Sequence, residues 1–375
     1  MAQAAASFLF SDGSPTRLAR EVARLRAQVG DAGGALLFLS GDLATQLAEV
    51  ARELAPALAG VPALLVSAAG VLSEAGQVEG GTAASGVLWR GGRAQTLCVS
   101  DPDAEACASA LAGQIHDRAA RSDHASLLFL GPDLAEHLTV FGRDGRGHRI
   151  FGAGVPHASG VAVVHGDGRV EQGQAAAMVL VGLHPPKVQS APACRVLGEP
   201  KPITLARGPL VLELGGEPAL DALGRVAEGV RDQSLLLAAV FEAGAGPEGD
   251  YSIQPIRGVD PSRGGVVLPR SLPEGTPLGF AVRDADTARE ELTRTAFGVK
   301  RELGGALPTF GLLLSCAGRG AGLYGREEFE VNLLKRTFPR MPLAGMMSAF
   351  ELPPTAHGPE LALFTAITAV FSSPS

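Results

Sequence analysis

Residues 311–325 read GLLLSCAGRGAGLYG: three leucines, a Ser-Cys pair, then a loop of glycines around one arginine. The apolar run Leu312–Leu314 has the character of a buried strand. Gly318, Gly320 and Gly322 mark a tight loop in which backbone passes close to something. Arg326–Phe338 (REEFEVNLLKRTF) follows as a helix, with Glu327, Glu328 and Glu330 near its start and Lys335 and Arg336 near its end. That order of charge complements a helix dipole. Met341–Leu352 (MPLAGMMSAFEL) is a second apolar run, broken by Gly345. Strand, glycine loop, helix and strand make one α/β unit, and the loop is where function is expected.

Working outward, two further runs enter polar or glycine loops in the same way. They are ALLFLSGDL (35–43) and SLLFLGPDL (126–134), which suggests a duplicated strand–loop–helix–strand unit. Ser14-Pro15 reads as a cap with proline in the first turn, and Leu18, Val22, Leu25 and Val29 share one face of the helix that follows. Strands are expected at 35–40, 63–67, 126–130, 210–214, 235–241 and 278–283. Helices are expected from Asp42 to about Ala59, from an Asp101 cap to about Arg121, over Ala219–Arg231, and from an Asp286 cap over Thr287–Ala296. Residues 76–92 read as loop and hairpin, 160–182 as a hairpin around Gly166-Asp167-Gly168, and 251–269 as antiparallel strands. Five prolines between His184 and Pro202 mark a boundary. The expected fold class is therefore mixed α/β, with two related domains, 1–190 and 203–375, built from mixed sheets and hairpins. Two sheets packed between helix layers and one doubly wound sheet per domain both suit this pattern.

Composition narrows the function. The 375 residues are 46% hydrophobic and 19% charged, with a net charge of −7 and no run of Lys or Arg. Nucleic acid is excluded as the main partner, because phosphate binding needs a basic face. No stretch approaches the ~18 apolar residues of a membrane span, and the N-terminus lacks the pattern of a signal peptide. Cys98, Cys107, Cys194 and Cys316 form no CxxC pair, so a reducing cytoplasm is the expected compartment. His116, His124, His137, His148, His157, His165, His184 and His357 are isolated and show no metal-ligand spacing.

The candidate site residues stand at strand ends. Gly320–Gly325 is formally a GxGxxG, but a dinucleotide fingerprint also wants an acid about 20 residues on, and Glu351 comes late. The glycines are read as serving a corner. Cys316 beside Arg319 is a candidate nucleophile with no histidine near it in sequence. Arg283-Asp284 and Arg319 suit an anionic ligand beyond the strand ends, or else an internal ion pair with Asp284 or Glu351. His157 is the local choice for a single axial haem ligand.

The segment SCAGRGAGLYG (315–325) resembles the signature of the FIST family of bacterial sensory proteins, and PLAGMMSAFEL (342–352) resembles the family's next conserved stretch. YSIQPIRGVD (251–260), FAVRDADTAREEL (280–292), GGTAASGVL (80–88) and FGAGVPHASG (151–160) extend the resemblance over about 35–355. Tyr324 stands where the family has Phe, Met346-Met347 replace an aromatic pair, and Phe350 replaces a Gly. The motif around His357–Phe364 is poorly matched. The resemblance implies a small-molecule-binding sensory protein in signal transduction, with amino acids as the suggested ligand class. A haem-based nitric-oxide sensor, an enzyme using Cys316 and a protein–protein adaptor are the alternatives. No kinase, cyclase or other output segment is recognised, so a separate signalling output protein is expected as partner. The expected ligand-binding set is Arg283, Asp284, Ser315, Cys316, Arg319 and Glu351, with no metal.

Overall fold

The structure is a computed structural model in which residues 4–119, 124–142, 149–157, 160–228, 230, 236–241, 251–355 and 358–372 are described. The chain forms two compact units that do not follow chain order. Unit 1 is Met1–Ala191 with Leu292–Glu360 and Ala366–Ser375; unit 2 is Pro192–Glu291 with Leu361–Thr365. The proline-rich interval contains the first passage between units, while the return at Leu292 lies inside a helix.

Unit 1 begins with β1 (Ala5–Phe10), α1 (Pro15–Val29), β2 (Ala32–Ser40), α2 (Asp42–Thr45), α3 (Leu47–Leu58) and β3 (Ala63–Ser67). It continues with β4 (Gly70–Ser73), β5 (Gly76–Glu79), β6 (Ala83–Arg90), β7 (Arg93–Val99), α4 (Ala104–Ala119), β8 (His124–Leu130) and β9 (Ile150–Gly154). Then come β10 (Val161–Val164), β11 (Val170–Gly173), β12 (Ala175–Val181) and β13 (Lys187–Pro192). Unit 2 carries β14 (Cys194–Arg207), β15 (Leu210–Leu214), β16 (Glu217–Pro218), α5 (Ala219–Ala227), β17 (Leu237–Phe241), β18 (Tyr251–Pro255), β19 (Gly258–Asp260), β20 (Gly265–Val267) and β21 (Pro277–Arg283). After α6 (Ala285–Glu302), the chain forms β22 (Pro308–Cys316), α7 (Ala321–Tyr324), α8 (Phe329–Thr337) and β23 (Leu343–Ser348). The last elements are β24 (Glu351–Leu352), β25 (Pro354–Thr355), β26 (Gly358–Pro359) and β27 (Thr365–Ser372).

Unit 1 resolves the open question of architecture in favour of sheets packed between helix layers. Its sheets run β1-β6-β2-β3-β10-β11, β13-β27-β22-β23-β4-β5 and β24-β9-β8-β12-β7. One inner core takes a face from each, including Phe38, Trp89, Phe129, Phe151, Phe310 and Phe371. Trp89 stacks on Phe310, which stacks on Phe371, at ring separations of 5.0 and 4.4 Å. The outer face of the first sheet is covered by α1 and α3, and that of the second by α6 and α8. α4 covers the third, burying Cys107, Leu111 and Ile115. Alternation along each strand sends successive side chains to the two cores, so these strands read as continuous apolar runs.

The duplicated unit seen in the sequence occurs three times. β2 pairs parallel with β3, β8 with β9, and β22 with β23. Each first strand is flanked antiparallel by another, β6, β12 and β27 respectively. Each second strand is flanked likewise, by β10, β24 and β4. Hairpin β4–β5, from the first third of the chain, thus completes the sheet of the last third. β24 extends the sheet that β8 and β9 begin.

Several local expectations need correction. Residues 83–90 are a central buried strand rather than loop. Their Gly and Ser content reflects crowding, since a Cβ on Gly86 would lie 2.7 Å from the Phe8 ring and 2.9 Å from the Leu36 carbonyl. The helix from Asp42 is broken at Gln46 into α2 and α3, and α8 begins at Phe329 rather than Arg326. Asp103, not Asp101, caps α4, accepting from Ala106 N at 2.8 Å. Asp284, not Asp286, caps α6. Ser14 does cap α1, and Leu18, Val22, Leu25 and Val29 are all buried. Arg231 and Leu235, at the ends of expected elements, lie outside the described residues.

Unit 2 is one eight-stranded sheet, with main path β18-β17-β21-β14-β15-β20-β19 and β16 on β15. α5 packs on it over Ile203, Leu214 and Phe280. No helix among the described residues is long and apolar enough to cross a membrane.

Candidate functional site

The carboxyl ends of the three parallel pairs meet at one end of unit 1, and a ladder of backbone bonds joins them. Ala68 N donates to Leu39 O at 2.7 Å, Ala69 N to Met347 O at 2.9 Å, and Ser67 N to Gly160 O at 2.7 Å. Gly154 N donates to Phe350 O at 2.7 Å, and Ala349 N returns a bond to Gly154 O at 3.0 Å. Gly80 N donates to Ala69 O, and Glu79 beside it accepts from Ala321 N, so Gly80, Gly154, Gly160 and Gly320, far apart in sequence, share one corner. Strand carboxyl ends are where open α/β sheets hold ligands.

Behind the Gly318–Gly322 loop lies a buried polar cluster. Arg319 is 1% exposed and Glu330 4%. Arg319 Nε donates to Glu330 Oε1 at 2.7 Å, Nη1 to the Ala191 carbonyl at 2.8 Å and Nη2 to Tyr324 Oη at 3.0 Å. Tyr324 Oη donates to Glu330 Oε1 at 2.7 Å, and Ser315 Oγ to Glu330 Oε2 at 2.6 Å. Burial opposes the Arg319 charge, but Glu330 foremost, then Tyr324 and Glu351, outweigh it and hold the guanidinium above its ordinary pKa. Across the strand pair, Ser348 Oγ lies 2.6 Å from Glu351 Oε1 and 3.0 Å from the Ser315 carbonyl oxygen. Its single proton serves two acceptors. Glu351 is wholly buried, and its backbone pairs with Ala153 of β9.

Of the six expected residues, the structure brings Ser315, Arg319 and Glu351 into this cluster, with Cys316 buried beside them at the end of β22. The ion pair of Arg319 is with Glu330, not Glu351 or Asp284. Glu330 was visible only as one of the acids opening α8, Tyr324 only as a departure from the pattern the sequence resembles, and Ser348 carried no separate signal. Tyr324 supplies the hydroxyl that joins Arg319 to Glu330. Phe350, in place of Gly, lays its ring on Gly154, where a Cβ would fall 2.2 Å from it. Gly320–Gly325 is a corner, since α7 is a single turn closed by Gly325 at φ 69°.

Arg283 and Asp284 belong to unit 2. Arg283 lies over the Phe364 ring, 5.7 Å from its centroid. Asp284 Oδ2 accepts from Thr287 N at 2.8 Å and from Thr287 Oγ1 at 2.7 Å, which lowers its pKa. His157 is exposed at the unit 1 corner, so it does not provide a buried axial position for haem. His148 and His357 lie outside the described residues. A cleft of about 300 Å³ lies elsewhere, between α4 and the residues Val140, Phe141 and Ile150, with Gly113 and His116 in its wall. It contains none of the six. Cys98 is half-buried, and burial, then Glu171, pushes its thiol up to about 12.

Residues 35–217 match the FIST N domain and residues 219–354 the FIST C domain. An uncharacterized protein of Mycobacterium tuberculosis strain H37Rv is 33% identical over 201 residues, covering 51% of this chain and 52% of that protein. An uncharacterized protein of Mycobacterium bovis is 32% identical over 205 residues, covering 51% of this chain and 53% of its own length. The chain thus spans about half the length of the curated relatives it matches.

Proposed function

The chain belongs to the FIST family, and from that premise we propose that it is a cytoplasmic sensory protein whose ligand is a small carboxylate or amino acid. FIST domains are associated with sensing in signal transduction, and the family is not a known family of enzymes. The ligand sits on the loop 317–322, at the corner that Gly80, Gly154, Gly160 and Gly320 share. One observation carries this reading. A fully buried Arg–Glu–Tyr–Ser cluster is maintained directly behind that loop, an arrangement with a high desolvation cost that fixes geometry rather than adding stability. Arg319 already donates to three protein acceptors. Its role is to fix the loop and place positive charge behind it, while the ligand's carboxylate meets loop amides. Bound ligand changes the state of the loop, and a separate output protein reads that change.

The test is a thermal-shift screen against the amino acids and small carboxylates, with haemin as a separate arm. A binder present at a hundred times its dissociation constant stabilises the fold by about 2.7 kcal/mol. Hydrogen exchange with the best compound then locates the site, and protection of residues 315–325 and 348–352 is expected. Protection confined to the α4 cleft, or no shift with any compound, would overturn this reading. A shift and Soret band with haemin alone would replace it with the gas sensor.

A further inference from the structure

Gly320 has an ordinary backbone, φ −72° and ψ −154°, which any residue adopts. Its lack of a side chain has another cause. A Cβ there would lie 2.3 Å from Glu79 Oε2, 2.6 Å from its Cδ and 2.8 Å from Oε1; those three atoms are its nearest neighbours. The same carboxylate accepts from Ala321 N with both oxygens, at 2.9 and 3.1 Å. Glu79 ends β5, the edge strand of the second sheet and the outer arm of hairpin β4–β5. A reciprocal contact lies at the other end of β5. A Cβ on Gly76 would fall 2.7 Å from Glu328 Oε1, and Glu328 itself is held at φ 59°, unfavourable for a residue with a side chain. The hairpin places a carboxylate on a glycine of the loop, and the residue before α8 places one on a glycine of the hairpin.

We propose that β5, the outer strand of hairpin β4–β5, is a releasable strap over the glycine loop, with Glu79 as its latch and Gly320 as the seat. Arg319 grips the loop from the buried side through its bonds to Glu330, Tyr324 and the Ala191 carbonyl, while Glu79 grips it from the solvent side. The two holds differ in kind. The inner one is buried and permanent on the timescale of folding. The outer one is exposed and opens without unfolding, because only the far end of a flexible side chain must move. Release frees the loop and the edge strand β5 together, so anything that favours the open loop also frees the edge. The sensory reading supplies only the purpose of this device, and its test needs no ligand.

Hydrogen exchange on the full chain tests it. Glu79→Ala removes the latch, while Gly320→Ala evicts the carboxylate from its seat without straining the backbone. Each is expected to speed exchange at the Ala321 amide on the order of tenfold, the effect of losing one charge-assisted bond. The β5 amides should rise with it, and those of Leu312–Leu314 should stay unchanged. Because both substitutions break one contact, the double variant should exchange no faster than either single one. Unchanged exchange at Ala321 in Glu79→Ala, or multiplied effects in the double variant, would overturn the proposal. Glu79 is exposed, so Glu79→Ala remains informative even if Gly320→Ala fails to fold.

Discussion

Two arginines close two apolar strands, Arg283 at the end of β21 and Arg319 just past the end of β22, and their surroundings are opposites. Arg283 rests on the ring of Phe364, and its neighbour Asp284 caps a helix. Arg319 is sealed among Glu330, Tyr324 and the Ala191 carbonyl. The same residue type in the same topological place serves a local purpose in one case and a long-range one in the other. What separates them is whether an acid, Glu330, turns inward from the next helix. A buried arginine needs that partner to offset the cost of losing water.

Substitutions can break this contrast, and the largest effect is expected at Arg319. Arg319→Ala leaves Glu330 buried without its counter-charge and should cost about 3–5 kcal/mol in chemical denaturation. A loss below about 1 kcal/mol would place Arg319 on the footing of Arg283. Ser348→Ala removes the hydroxyl donor that Glu351 and the Ser315 carbonyl share, with a loss of about 1–3 kcal/mol expected in the same measurement. Asp284→Ala removes a helix cap and should cost about 1 kcal/mol.

The pH dependence sharpens that third expectation. Thr287 holds the folded pKa of Asp284 below its unfolded value of about 3.9. The contribution is therefore complete above that pH and is lost as pH falls through the lower folded value. Melting curves of the Asp284→Ala variant should converge on wild type as the pH is taken well below the range of an unfolded carboxylate. Arg283→Ala is expected to be mildest, with about 0.5–1 kcal/mol from loss of its contact with the Phe364 ring.

Legibility in the sequence followed the range of the interactions. β3 and β15 were read to their limits because each is a run of apolar residues closed by polar or glycine punctuation. The face of α1 was legible because it depends on spacing alone. β6 was missed since its small residues answer to Phe8 and Leu36, partners outside the local window. The caps at Asp101 and Asp286 were each two residues from the true ones, in stretches that offer several acids. At the corner, Ser315, Arg319 and Glu351 stood out at strand ends. Glu330 did not, because an inward acid and a dipole-complementing acid are spelled alike. Ala191, 128 positions before Arg319, could be found only by folding the chain.

The exchange of strands between the two family regions bears on how the protein is made. During synthesis, hairpin β4–β5 emerges more than 250 residues before β23, the strand beside which β4 belongs. Until then β4 presents an unpaired apolar edge, the kind of surface that recruits other chains. A gene cut between residues 217 and 219, where one matched region stops and the next starts, would yield two fragments with complementary gaps. Neither should be soluble alone, and co-expression should rescue both.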